Sequence, residues 1–258
     1  MSSLREFLKS DYVKNILRLF GGTSLAQIVP ILISPLLTRL YSTEQFGYFA
    51  TYVSVYTVLT VFSTGRYDQA IILSKNKREQ NVLITICFVF LLIVSLSFEM
   101  FIVGFRPHIA GYIAWAEYSF LIYLIPLSTF LIGTIQLSNY VMIKEATFGR
   151  LSYIKISQTL LVSGITVLFG YLSVKTGLVY GQLLGMLTIS LILVYLYLAD
   201  TEHKVVTDLK KVKEVLLKYS NFPKYDIAAN FLSVGTPQSI VLLTGVFFTS
   251  GVVGLYAL

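Results

Sequence analysis

Histidine occurs twice in this sequence, cysteine once and tryptophan once, and only 13% of the residues carry a charge. Soluble globular chains average about 25% charged residues. Each shortage excludes something. The lone Cys87 excludes an internal disulfide framework and any cysteine-based metal site; it lies in an apolar run and reads as a small buried hydrophobe. The two histidines, His108 and His203, fall on opposite sides of the topology derived below and cannot share a site. No Gly-rich phosphate loop follows a strand, and no histidine pair is spaced for one helix face. The expectation is a protein without catalytic residues, metal or cofactor.

What replaces polarity is hydrocarbon: 55% of the 258 residues are hydrophobic and the mean hydropathy is +0.75. A bilayer core about 30 Å thick is crossed by roughly 20 apolar helical residues. That ruler places spans at Leu19–Leu37, Phe46–Thr64, Val82–Val103, Ser119–Ser138, Tyr153–Leu172, Gly177–Leu198 and Ile227–Phe248. The polar arm Met1–Arg18 carries both signs of charge and no small-residue cleavage site, so the first span reads as a retained helix rather than a signal peptide.

The net charge of +7 would suggest nucleic acid in a soluble chain; here its placement carries the meaning, and no nucleic-acid partner is expected. With the N-terminus in the cytoplasm, 17 of the 20 Lys and Arg residues fall on the inner side, leaving Arg39, Arg106 and Lys175 outside. That is the positive-inside pattern.

Local chemistry adds detail. Ser42 and Gln45 have capping-box spacing, which starts the second helix at Thr43. Its apolar face is expected to resume at Ala70–Leu73 beyond Arg66–Gln69. Val205–Tyr219 has the spacing of a basic amphipathic helix in the interface. Pro30, Pro35, Pro126 and Pro237 fall within spans; each removes a backbone donor, serving either helix packing or bending around a cavity. Gly164, Gly170, Gly177, Gly181 and Gly185 are expected at close helix contacts, the last two with GxxxG spacing. Arg66 and Asp68, two residues apart, point to different sides of a helix and should each find another partner. Arg66, Arg150 and Lys155 read either as positive-inside anchors or as a cationic vestibule for an anionic lipid-linked substrate.

The chain also echoes itself. Gln27 opens an apolar run ending in Phe46-Gly47-Tyr48-Phe49-Ala50, and Gln238 opens one ending in Val253-Gly254-Leu255-Tyr256-Ala257. Span seven therefore stands where a second copy of span one would begin.

These residues carry a family resemblance. Gln27-Ile28-Val29-Pro30, Ser34-Pro35-Leu36-Leu37-Thr38-Arg39-Leu40-Tyr41-Ser42 and Phe46-Gly47 resemble the start of bacterial polysaccharide flippases, within the multidrug/oligosaccharidyl-lipid/polysaccharide exporter superfamily. Gly65-Arg66-Tyr67-Asp68-Gln69-Ala70-Ile71, Tyr219-Ser220-Asn221-Phe222-Pro223-Lys224-Tyr225 and Gly254-Leu255-Tyr256-Ala257 are similar to later motifs of the same family, in the same order. The resemblance implies two six-helix lobes flanking a cationic cavity with alternating access, moving undecaprenyl-linked O-antigen, capsule or related repeat units across the bacterial cytoplasmic membrane. The expected fold is an all-α polytopic transmembrane bundle: a first lobe over residues 1–200, an interlobe segment over 201–226, and the first helix of a second lobe over 227–258. On that pattern the chain is expected to be a truncated product or a piece of a longer transporter. Its expected partners are lipid-linked oligosaccharide (anionic undecaprenyl diphosphate), membrane lipids and other polysaccharide assembly proteins.

The candidate substrate-binding residues are Arg66, Asp68, Arg150 and Lys155 at the inner mouth and Arg39 at the outer mouth; Arg39 and Arg66 follow from the motifs, the others from position. A drug or metabolite antiporter of the same superfamily is the alternative, and mid-span acidic residues would mark it. A multi-pass polymerase or acyltransferase would need a large outer loop or clustered His, Asp and Arg. The outer acidic residues here are Glu44, Glu99 and Glu117.

Overall fold

A computed structural model describes residues 11–105, 119–199 and 208–258. Among these residues every regular element is helical. The long elements are α1 (Asp11–Leu40), α2 (Thr43–Ser63), α3 (Lys77–Gly104), α4 (Ile125–Lys144), α5 (Phe148–Tyr171), α6 (Gly177–Ala199), α7 (Leu209–Lys218), α8 (Ile227–Phe247) and α9 (Ser250–Ala257). Seven helical segments among them are long and apolar enough to cross a membrane, matching the seven spans read from the sequence. The protein is an all-α polytopic membrane protein. Its outer surface fits a lipid solvent: Leu96, Met100, Leu191, Leu198 and Phe247 all stand exposed.

Local sequence explains where helices begin. The Ser42 hydroxyl accepts from the Gln45 amide at 3.3 Å, while the Ser42 amide donates to Gln45 Oε1 at 2.8 Å. This is the expected capping box, and α2 starts at Thr43 as its spacing predicts. Asn76 caps α3 through the Glu79 amide at 2.9 Å, and Asp208 caps α7 through the Lys210 amide at 3.2 Å. Within the predicted amphipathic segment the structure describes the helix over Leu209–Lys218; Val205 and Val206 lie outside the described residues, as do residues 1–10 of the N-terminal arm, Arg106, Glu117 and both histidines.

Three local expectations change. The second helix does not run on into Ala70–Leu73. Gly65 and Arg66 both adopt left-handed backbone, with φ of 58° and 61°, and break the chain between α2 and the single turn Tyr67–Ala70. Glycine is at home there, but an arginine is held there at a cost of about 1–2 kcal/mol. Pro126 does not bend a helix; it sits in the first turn of α4, after the 3-10 segment Ser119–Leu124, where a missing donor breaks no helical bond. A Cβ at Gly164 would meet nothing within 4 Å, so that glycine makes no close contact among the described residues.

The other glycines do. Gly181 packs on Thr166 and Gly185 on Val162, so the GxxxG pair is the seam between α5 and α6. The α1 helix lies along α5, with Gly22 against Ser152 near one end and Gly170 against Leu40 near the other. The core is centred on Tyr52, Tyr56, Ile135, Met186 and Ile189 of α2, α4 and α6. Its polar atoms are satisfied: Tyr52 Oη lies 2.5 Å from Ser128 Oγ and donates to the Leu124 carbonyl at 3.1 Å.

The internal echo has a structural counterpart. The α9 helix lies against the start of α2, and the two glycines aligned in sequence meet there. Gly47 packs on the Ser250 carbonyl and Gly254 on the Thr43 carbonyl. Ser250 lies four residues before Gly254, and Thr43 four before Gly47. The contact is therefore reciprocal, as around a local two-fold axis.

Candidate functional site: a cavity lined by Lys155

The ends of the bundle differ in charge. Arg66, Lys75, Lys77, Arg78, Lys144 and Arg150 gather at one end, called the basic end below; Arg39 stands exposed at the other, in the last turn of α1.

Between α1, α5 and the flanks of α2 and α6 lies a cavity of about 500 Å³. Its wall on α5 carries Lys155, Thr159, Ser163 and Thr166, spaced at four, four and three residues on one helical face. Facing them are Thr23 and Gln27 of α1 and Gln182 of α6, with Phe46 and Phe49 of α2 closing one side. Lys155 is half-buried and has no carboxylate in ion-pair contact among the described residues. It lies seven residues from the start of α5 at Phe148, roughly 10 Å along the helix. Among the described residues that line it, none is acidic.

Several lining hydroxyls are already spent: Thr159 donates to the Lys155 carbonyl at 3.0 Å and Thr166 to the Val162 carbonyl at 2.7 Å. Gln182 donates to Tyr56 Oη at 3.2 Å. The Lys155 ammonium, the amides of Gln27 and Gln158 and the remaining lone pairs are what the cavity presents. Pro30 adds an acceptor, because a proline has no donor for the carbonyl four residues earlier, Ala26, and both residues line the cavity.

At the basic end, Arg66 reaches across to the start of α8. Its Nε donates to Asp226 Oδ2 at 2.5 Å, with side-chain exposures of 8% and 29%. Asp226 supplies the separate partner that the spacing of Arg66 and Asp68 called for, and it went unnoticed in the sequence. Asp68 is fully buried, and neither carboxylate oxygen has a hydrogen bond of good geometry. The Thr64 hydroxyl and the Asp68 and Gln69 amides stand on its side of the site without completing one. Burial pushes the Asp68 carboxyl above the usual carboxylate range, against the pull of the Arg66 guanidinium.

The amphipathic α7 docks on the same end. Val212, Val215 and Leu216 pack against a cluster around Tyr67, Ile71 and Tyr219. Lys218 pairs with Glu79, and Tyr67 Oη donates to the Leu216 carbonyl at 3.2 Å.

Of the five predicted site residues, the structure thus brings together only Arg66 and Asp68. Lys155 lines the cavity between α1 and α5, Arg39 stands at the opposite end, and Arg150 opens onto a separate apolar groove between α3, α4 and α6. Gln27, Gln158, Gln182 and the hydroxyl row of α5 were not among the predicted site residues, although the 155/159/163/166 spacing was a readable signal.

A family model described as polysaccharide biosynthesis protein matches residues 36–258. The chain belongs to that family. The match takes in every described helix from the end of α1 onward, including Lys155, Arg66, Asp226 and the Gly47–Gly254 contact. Thr23, Gln27 and Pro30 precede the matched residues. No curated protein and no solved structure matches the chain.

Proposed function

We propose that this membrane protein of polysaccharide biosynthesis is a flippase, moving undecaprenyl-linked oligosaccharide repeat units across the bacterial cytoplasmic membrane without bond chemistry. The observation that carries the reading is Lys155, without an ion-pair partner among the described residues, in a cavity that also presents hydroxyls, amides and two phenylalanines beside aliphatic side chains. An intramembrane cation without a partner is costly and marks a functional site. A diphosphate supplies the missing charge, the amides and free lone pairs suit sugar hydroxyls, and Phe46 and Phe49 offer faces for sugar C–H groups. The absence of a carboxylate among the described lining residues favours an anionic polyol cargo over the cationic drugs or coupling ions of an antiporter.

In this reading the basic end faces the cytoplasm, following the positive-inside rule. Cargo enters near that end, and access alternates as the reciprocal α2–α9 contact opens and closes. Other polysaccharide assembly proteins are its partners in the membrane.

The test introduces Lys155→Gln and Lys155→Arg into the encoded gene and measures surface polysaccharide, lipid-linked intermediate on the inner leaflet, and protein abundance. One charge-assisted hydrogen bond is worth about 1.5–3 kcal/mol, or roughly ten- to hundredfold in binding. Lys155→Gln is expected to cut surface polysaccharide and build up inner-leaflet intermediate at unchanged abundance, while Lys155→Arg keeps most of the flux. Normal polysaccharide from Lys155→Gln would refute the reading.

A further inference from the structure

The apolar groove between α3, α4 and α6 has a volume of about 380 Å³ and shares no lining residue with the Lys155 cavity. We propose that it holds one acyl chain of an anionic phospholipid, with Arg150 on the lipid phosphate.

The depth of the groove fits one leaflet. It opens at the basic end, where Glu145 and Arg150 line its mouth, and reaches Thr134 on α4. Thr134 lies ten residues before the helix end at Lys144, roughly 15 Å along the axis, about half of a 30 Å hydrocarbon core. The volume lies within the roughly 300–1,000 Å³ range of ligand pockets.

The wall asks for hydrocarbon. Its serine and threonine hydroxyls donate back into their own helices: Thr85 to Asn81 at 2.9 Å, Thr134 to Phe130 at 2.9 Å and Ser138 to Thr134 at 2.9 Å. What remains is Ile84, Phe88, Leu137, Val141, Leu193 and similar side chains, with Tyr197 near the mouth end of α6.

The mouth asks for a single negative charge. Glu145 is already held by Lys77 Nζ at 2.8 Å and Gln80 Nε2 at 3.0 Å. Arg150 is exposed and has no ion pair among the described residues. One uncompensated guanidinium matches one phosphodiester, which it can bind through two parallel hydrogen bonds. A diphosphate would bring further negative charge beside Glu145, so the phospholipid suits this mouth better than the lipid-linked cargo. The inference does not rest on the flippase reading.

The test uses the purified full chain in detergent, titrated with phosphatidylglycerol or phosphatidylcholine of identical chains and followed by native mass spectrometry. Phosphatidylglycerol is expected to be retained at one per protein, in preference to phosphatidylcholine. Arg150→Gln should weaken that retention about fivefold, the effect of one arginine–headgroup attraction near the surface, and Arg150→Lys should restore most of it. Ser138→Phe, which fills the groove, should abolish retention. A phosphatidylglycerol carrying a chain-borne diazirine supplies a readout on the unaltered protein: its label is expected on residues 84–89, 134–145 and 193–198. Label spread evenly over all lipid-facing helices, no label in those three segments because another helix occupies them, or equal retention by Arg150→Gln would each overturn the proposal.

Discussion

Adding one methyl group at Gly47 should loosen the contact between α2 and α9. A Cβ there would stand 3.1 Å from the Ser250 Cα and closer still to its carbonyl. One at Gly254 would stand 3.0 Å from the Gly47 nitrogen and closer to the Thr43 carbonyl. The obstructing atoms are backbone on both sides, so no rotamer change relieves the clash and the helices must part. Overpacking of this kind costs about 1–3 kcal/mol. Replacing a mid-helix glycine by alanine also gains about 0.5–1 kcal/mol of helix propensity, and Gly164→Ala isolates that gain because its Cβ meets nothing within 4 Å. The difference between Gly47→Ala and Gly164→Ala is then the overpacking alone, roughly five- to hundredfold in the population of the closed contact. Thr43→Cys with Gly251→Cys reports on it, since a Cβ at Gly251 lies 3.9 Å from Thr43 Oγ1, the atom whose place the cysteine sulfur takes. With Cys87→Ala removing the native thiol, cross-linking under limiting oxidant should fall at least about fivefold with Gly47→Ala and stay unchanged with Gly164→Ala. Equal yields in the two backgrounds would show that the glycine contact does not hold these helices together.

The Arg66–Asp226 pair predicts non-additive losses. Arg66→Gln or Asp226→Asn should each cost about 1–3 kcal/mol in denaturant unfolding of the purified protein, below the ~3–5 of a fully buried pair because Asp226 is 29% exposed. The double variant should cost little more than either single one; additive losses would show that the pair contributes nothing. Neutralising Arg66 is also expected to lower surface polysaccharide at unchanged membrane abundance, and unchanged polysaccharide would remove Arg66 from the mechanism. For Asp68, whose carboxyl is raised by burial, folding holds the proton more tightly than the unfolded chain does. The native protein therefore loses stability as pH climbs from the unfolded carboxyl range through the raised value. Asp68→Asn escapes that loss, so its stability relative to the native protein should be greatest at neutral pH and converge near pH ~4; parallel curves across that range would contradict it.

Much of this architecture is written in short-range patterns. Twenty-residue apolar runs set the number of membrane-spanning helices because, within the bilayer, a helix satisfies every backbone hydrogen bond inside one such run. The Ser42 and Gln45 pair set the start of α2, since capping chemistry involves only neighbours in sequence. The Lys/Arg asymmetry separated the basic end from the other for a similar reason: loop charges are local. Even the Gly47–Gly254 relation left a trace, as an alignment of two segments, although their meeting face to face could not be read from it. The limits fall where distant segments meet. Asp226 became the partner of Arg66 only through the left-handed break at Gly65 and Arg66, which turns the arginine toward α8. Arg150 and Lys155, five residues apart on α5, read as one basic cluster in sequence, yet they line different spaces. Five residues of helix turn through about 500°, or some 140° around the axis, so neighbours on the chain face different helices. Hydropathy and charge order, being sums over nearby residues, determined how many helices there are and which end is basic. Which cation meets a carboxylate, which meets a groove and which is left alone in a cavity depended on helix rotation and on the neighbours that packing supplied.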